Sequence, residues 1–283
     1  MSSRPASARA TFQPAPTPRR SVRRFGIRRA EILVGPALLL LLWWATVRYE
    51  IVAGNILPSP SEVISAFRTW LFGERSDLAW WSGTWFEYVL LSGKRMIIGF
   101  GIAAIVGVTA GLLIARYRPV RAVVDPIVQL LRPIPIVAWF PLAVAIFGIT
   151  ESASVFLVAL GGVFPITIYT ADGAMHTPTN LLRAALMLGT KRHNLLFKVV
   201  LPWTLPAIFS GLRVALGLGW VLVIVSEMLA VQGGIGYVLW SAYNFNRMDL
   251  VFAVMITMGF LGFLSDMLLV AIRNRVLSWK AGT

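Results

Sequence analysis

The sequence contains no cysteine, and that single absence removes disulfides, thiolate metal sites and a lipoprotein anchor from consideration. Charge is scarce as well. Only 13% of the 283 residues are Asp, Glu, Lys or Arg, against about 25% in an average soluble domain. Histidine is limited to His176 and His193, which share one polar stretch, so no buried Ser/His dyad or histidine zinc cluster can form in the apolar segments. A phosphate-cradling loop is also missing. It requires Gly, four residues, then Gly-Lys-Ser/Thr. The only Gly-Lys pair, Gly93-Lys94, is followed by Arg95 and has Tyr88 where the first glycine belongs.

What remains is apolar: 57% of the residues are hydrophobic and the mean hydropathy is +0.75. A chain this poor in polar groups cannot cover a folded exterior in water, so lipid must solvate most of its length. Six segments approach the roughly 20 apolar residues that cross a ~30 Å hydrocarbon core as helix: Glu31–Arg48, Met96–Ala115, Leu131–Gly148, Ala153–Thr170, Leu205–Val231 and Leu250–Ile272. Their lengths are helical rather than the ten-residue alternation of barrel strands. The fold class is therefore an all-α polytopic membrane protein with six transmembrane helices.

The net charge of +14 comes from 26 Lys+Arg against 12 Asp+Glu, and its distribution sets the orientation. With the N-terminus inside, nineteen basic residues fall on the cytoplasmic side: eight Arg in residues 1–29, then Arg116, Arg118, Arg121, Arg132, Arg183, Lys191, Arg192, Lys198, Arg273, Arg275 and Lys280. Six fall outside: Arg48, Arg68, Arg75, Lys94, Arg95 and Arg247, the first loop also carrying Glu50, Glu62, Glu74, Asp77 and Glu87. Both termini are expected in the cytoplasm. The excess of positive charge thus reflects topology, and nucleic acid is not an expected partner.

Residues 1–29 read as a disordered basic tail. Residues 30–95 hold the first span and an external loop, whose piece Ser61–Phe72, after Leu57-Pro58-Ser59-Pro60, is amphipathic and suited to lie along the interface. Residues 96–280 form the core with five spans. Within it, cytoplasmic residues 171–204 carry a helix starting near Asn180, capped by Thr177 or Thr179 and stopped at Gly189. A second basic helical piece, Lys191–Lys198, is ended by Pro202 and Pro206 before the fifth span. This elbow exposes apolar and basic groups. Either it rests on its own bundle, or it is a knob on which another protein docks.

Ionisable groups within spans are candidates for function. Arg213 and Asp266 lie about 12 and 9 Å in from the cytoplasmic side at 1.5 Å per residue, and we expect them to form a structural pair. Glu227, at the outer end of the fifth span, either anchors the Gly233–Gly236 turn or lines an outer gate. Pro133, Pro135 and Pro141 must break or kink the third span, which makes it either a simple kink or, with Trp139, a helix lining a pathway. Gly99, Ala103, Gly107 and Gly111 read as a face for close helix packing.

The elbow carries a specific resemblance. Arg183-Ala184-Ala185, three residues, Gly189, nine residues, then Val199-Val200-Leu201-Pro202 matches, spacing for spacing, the pattern that begins Glu-Ala-Ala in permease subunits of ATP-binding cassette (ABC) importers. It departs at Arg183, where the family has Glu, and at Val199 for Ile. The stretches Leu57–Pro60, Asp125–Leu142 and Glu227 with Gly233–Gly236 are similar to the nitrate, sulfonate, taurine and bicarbonate branch. The resemblance implies a type I importer permease fold and a coupling helix, with Leu182, Arg183, Ala184, Ala185, Gly189, Lys191, Arg192, Leu201 and Pro202 as the residues that meet a separate ATPase. It implies two ATPase subunits that bind ATP and magnesium, none bound by this chain, and a second copy of the permease. It also implies an external solute-binding protein and residence in the cell inner membrane. An ion-coupled secondary transporter is the rival reading; it predicts internal repeats and paired broken helices, and only one proline-rich span is present.

Overall fold

The computed structural model describes residues 29–51, 56–74, 80–229 and 231–278. The basic tail before residue 29, and Arg75, Asp77 and Lys280 from the orientation argument, lie outside the described residues. The chain divides into a unit ending at residue 46 and a larger unit beginning at residue 47. The first contains most of helix α1 (Arg29–Arg48), whose leucine run Leu38–Leu42 is exposed.

The second unit is helical throughout, with no strand among the described residues. It comprises α2 (Pro60–Phe72), α3 (Trp85–Arg116), α4 (Arg118–Leu131), a 3-10 turn (Ile136–Trp139), α5 (Phe140–Phe147), α6 (Glu151–Met175), α7 (Thr179–Met187), a π turn (Leu196–Val200), α8 (Leu201–Leu229), α9 (Ile235–Asn244) and α10 (Met248–Val276). Four helices are long and apolar enough to cross a membrane, and a fifth span is obtained if α4 and the Ile136–Phe147 segment, bent by 97°, count as one. The apolar part of α1, Val34–Arg48, is shorter. At 1.5 Å per residue it reaches about 22 Å, less than a ~30 Å hydrocarbon core.

Helix ends differ from the sequence expectations where polar residues extend a span. The second span, expected to start at Met96, belongs to a helix of 32 residues that begins at Trp85, so the boundary between residues 95 and 96 falls inside α3. Hydropathy stops at Lys94 and Arg95, but helical hydrogen bonding does not. Pro202 and Pro206 do not end a helix either. Both lie within a helical stretch that runs without a break from Leu196 to Leu229, Pro202 directly after the π turn and Pro206 inside α8. The expected cap is also different: Thr177 Oγ1 donates to the Ala174 carbonyl, Thr179 is already helical, and Pro178 occupies the cap position. The Leu131–Gly148 segment is interrupted as its prolines predict: Pro133 and Pro135 fall in the break between α4 and the 3-10 turn, and Pro141 sits in the first turn of α5. The amphipathic piece is α2, closed by a reciprocal cap in which Ser59 N–H donates to Glu62 (2.7 Å) and Glu62 N–H to Ser59 Oγ (3.3 Å). It packs on α10 and buries Val63, Ala66 and Trp70, since it has an apolar face to cover.

The core is the three-helix stack of α3, α6 and α8. Helix α6 is central and buries residues on nearly every side, among them Leu157, Val158, Ile166 and Thr170. It can do so because its neighbours present small residues. A Cβ built on Gly107 would stand 2.7 Å from the Ile166 Cβ, and one on Gly162 the same distance from that of Ala103. Backbones this close exclude both lipid and water. Without a hydrophobic driving force in lipid, such packing is what holds helices together. We expect Gly107→Ala to destabilise the detergent-purified protein by about 1–3 kcal/mol. Gly101→Ala, on the same helix but facing open space, should leave the thermal midpoint unchanged or slightly higher.

Candidate functional site

Two regions at opposite ends of α6 concentrate the unusual chemistry. The first is the elbow. Helix α7 follows α6 after the short link 176–178 and carries Leu182, Arg183, Ala184 and Ala185. It ends in a Schellman motif: Gly189 has φ +82°, its N–H donates to Leu186 O (3.0 Å), and Thr190 N–H donates to Ala185 O (2.9 Å). Both bonds satisfy carbonyls that a helix end would otherwise leave open, and the positive φ explains why Gly stands at this position. Leu182 and Ala185 are half-buried, whereas Arg183, Ala184, Lys191 and Arg192 are exposed. At the tip, Met187 and Leu188 are each 87% exposed. Behind α7 lies a cavity of about 540 Å³ whose walls include Leu182, Leu186, Arg116, Arg121 and Arg192. Leu201 and Pro202 are half-buried at the start of α8.

The second region is a buried polar knot that joins α3, α8 and the turn before α9. Arg95 and Glu227 are 2% and 1% exposed. Arg95 Nη1 donates to Glu227 Oε1 (2.6 Å) and to the carbonyl of Gly233 (2.8 Å). Ser92 Oγ lies 2.7 and 2.9 Å from the two Glu227 oxygens and accepts the N–H of Ile235, while Gly236 N–H donates to Glu227 Oε2 (2.9 Å). The turn must pass directly over the carboxylate. A Cβ at Gly234 would overlap it, and Gly233 and Gly234 have φ of +106° and +116°. At its rim, Glu151 at the start of α6 accepts from Lys94 (3.2 Å) and lies 3.5 Å from Arg95. The carboxylate is thus bonded at both oxygens, as a buried charge requires, while Arg95 Nε stays buried without a partner among the described residues.

Of the residues singled out in the sequence, Glu227 is tied to the Gly233–Gly236 turn and enclosed. Arg95 and Ser92 were missed as partners. Arg95 was assigned to an outer loop because it lies just beyond the apolar run, yet its i, i+3 spacing from Ser92 places both on one helix face. Pro133 and Pro135 stand at the 97° break and Pro141 opens α5. Trp139 packs on Ala143, Ala153 and Leu157 with its indole N–H buried and unpaired among the described residues. Arg213 and Asp266 are brought together in a two-pronged contact, Nε to Oδ1 at 2.6 Å and Nη2 to Oδ2 at 2.7 Å.

Comparison with known proteins identifies the family. Residues 107–278, which span α7 and its flanking helices, match the family model of the binding-protein-dependent transport system inner membrane component. The chain belongs to this family. A putative ABC transporter permease of Methanocaldococcus jannaschii is 38% identical over 246 residues, 87% of this chain and 90% of that protein. The taurine transport system permease of Escherichia coli is 30% identical, covering 89% of this chain and 90% of the relative. The nitrate import permease of a Synechocystis strain is 31% identical, covering 82% and 84%. Among solved structures, a chain of the MetNI methionine ABC transporter in an inward-facing conformation superposes with a TM-score of 0.60 at 19% identity, over 71% of this permease and 99% of that chain.

The polar knot gives a direct test of how the permease is held together at this end. Arg95→Met leaves the Glu227 carboxylate buried without its cation and should cost about 3–5 kcal/mol. Combining it with Glu227→Gln removes the orphaned charge while keeping an acceptor for Gly236 N–H, and should recover a measurable part of that loss in a thermal unfolding double-mutant cycle. Strict additivity would mean that the two side chains do not interact.

Proposed function

We propose that this permease is the membrane-spanning part of an ABC importer that moves a small anionic solute, of the nitrate, sulfonate, taurine or bicarbonate class, into the cytoplasm. The observation that carries the reading is the elbow. A nine-residue helix, closed by Gly189, holds two large apolar side chains almost fully in the open at its tip. Exposed apolar groups grouped on a short basic projection are suited to a protein partner. On this reading the partner is an ATPase subunit, α7 is the coupling helix, and the elbow end faces the cytoplasm, in keeping with the basic residues that flank it.

The solute class is supported by the relatives, whose names include taurine, nitrate, aliphatic sulfonate and bicarbonate transport permeases. ATP would be bound and hydrolysed by the partner, since this sequence contains no Gly-x4-Gly-Lys-Ser/Thr stretch. Two ATPase subunits offer two docking clefts, and a second copy of this permease related by two-fold symmetry supplies the second elbow. An external binding protein delivers the solute at the other face of the inner membrane. Closure of the ATPase pair then displaces α7 and, through the short link, α6, biasing the bundle between two arrangements.

Introducing charge at the tip tests docking without disturbing the fold, because both side chains already face outward. Met187→Asp with Leu188→Asp should reduce co-purification of the ATPase encoded beside this chain, and solute-stimulated ATP turnover, by about tenfold or more, a loss typical of hot-spot residues. Folded yield should be unchanged. Full retention of the ATPase by this variant would overturn the coupling role of α7.

A further inference from the structure

The pair formed by Arg213 and Asp266 is unlike the buried knot. Its side chains are 57% and 31% exposed, although Arg213 lies near the middle of α8, about 18 Å along the helix from Leu201 at 1.5 Å per residue. Ionisable groups this far inside an apolar helix face protein or water rather than hydrocarbon. This side of α8 must therefore border water or another protein surface.

Two adjoining cavities lie along it. One, of about 260 Å³, has Tyr169, Ser210, Arg213 and Arg273 in its walls. The other, of about 330 Å³, shares Tyr169 and Val214 with the first and continues to Arg132. Three guanidinium groups thus border one trough, and no carboxylate lines either cavity among the described residues. The donors are under-used. Arg213 spends Nε and Nη2 on Asp266, and Arg273 spends the same two nitrogens on Asn274 Oδ1 at 3.3 and 3.1 Å. Neither Nη1, nor the Tyr169 hydroxyl, has a partner among the described residues.

We propose that this trough is a seat for a small oxyanion on its way through the permease, with Arg213, Arg273 and Tyr169 as its donors. Asp266 is a positioning residue: by holding the Nε–Nη2 edge of the Arg213 guanidinium it leaves the end that carries Nη1 for the anion. It also offsets part of the positive charge, which keeps binding weak enough for release, as conduction requires. The chemistry fits a planar or tetrahedral oxyanion, since guanidinium groups and a phenol are donors without competing acceptor charge. The site rests on the importer reading only for how the anion arrives and leaves.

The test needs the permease alone first. In nanodiscs, nitrate should protect Arg213 and Arg273 from modification by phenylglyoxal, read by mass spectrometry, while gluconate at equal ionic strength should not. Equal modification in both salts would overturn the seat. In the assembled importer, Arg273→Gln and Tyr169→Phe should raise the half-saturating anion concentration for uptake. Arg273→Gln should do so by about tenfold or more, the scale of one lost charge-assisted hydrogen bond. The swap Arg213→Asp with Asp266→Arg should restore folded yield but not uptake. Recovery of uptake by the swap would make the pair structural only and sink the proposal. Nitrate protection that persists in a permease showing no ATP-driven uptake would overturn the importer reading and leave the seat standing.

Discussion

The closeness of α3 and α6 is the constraint from which the rest of the fold follows. Where a Cβ on Gly107 would meet Ile166, the Ile166 side chain sits directly on the α3 backbone with no room for a second side chain. Lipid tails are as apolar as leucine, so only dense packing and satisfied polar groups favour one arrangement of helices over another. The seam fixes the position of α6, and α6 carries a site at each end. Glu151 at its start borders the polar knot, and its last turn leads through three residues into the elbow. A force applied to α7 is therefore delivered to the most deeply packed helix of the bundle, one that cannot yield locally because small residues leave it no space.

The two ion pairs make opposite use of the same chemistry. Arg95 and Glu227 are shut away from solvent, and nearly every lone pair of the carboxylate is engaged by Ser92, Gly236 or the guanidinium. Such a pair gains little over an apolar replacement of equal shape, but it is costly to break, so it holds the α8–α9 turn in one register. Arg213 and Asp266 are bonded with equal regularity yet open to their surroundings. Exposure makes their mutual attraction weaker and more readily shared, and that is the property a transient ligand needs.

Much of this was legible in the sequence because helix formation in lipid is governed by length and apolarity. The stop at Gly189 followed from glycine's tolerance of positive φ, and the break near Pro133 and Pro135 from the missing N–H donors. The sequence reading failed where a helix outruns its hydrophobic stretch. Arg95 looked like a loop cation because hydropathy ends at Met96, and its partner lies 132 positions away, beyond any local pattern. Pro202 and Pro206 looked like terminators. The π turn directly before Pro202 instead carries the helix through with a different hydrogen-bond spacing, which periodicity cannot foresee. The capping threonines failed for a related reason: Thr177 reaches back to Ala174 more easily than forward to α7.

Helix α8 shows how one element reconciles these demands. Its face toward α6 is built of small and branched residues, Gly211, Ala215, Gly219 and Leu222, spaced by three or four positions so that they form one stripe. The stripe through Ser210, Arg213, Val214 and Gly217 is exposed, and a Cβ on Gly217 would meet nothing within 4 Å. The same side of α8 continues to Leu218 and Val221, 44% and 55% exposed, so its polar part is confined to the turns around Arg213. Small residues beside a charged group leave room near the helix backbone, and a charged group at mid-depth requires water or protein in that room. On solvation grounds the turns of α8 around Arg213 therefore require water or protein beside them, whereas its continuation at Leu218 and Val221 is suited to lipid.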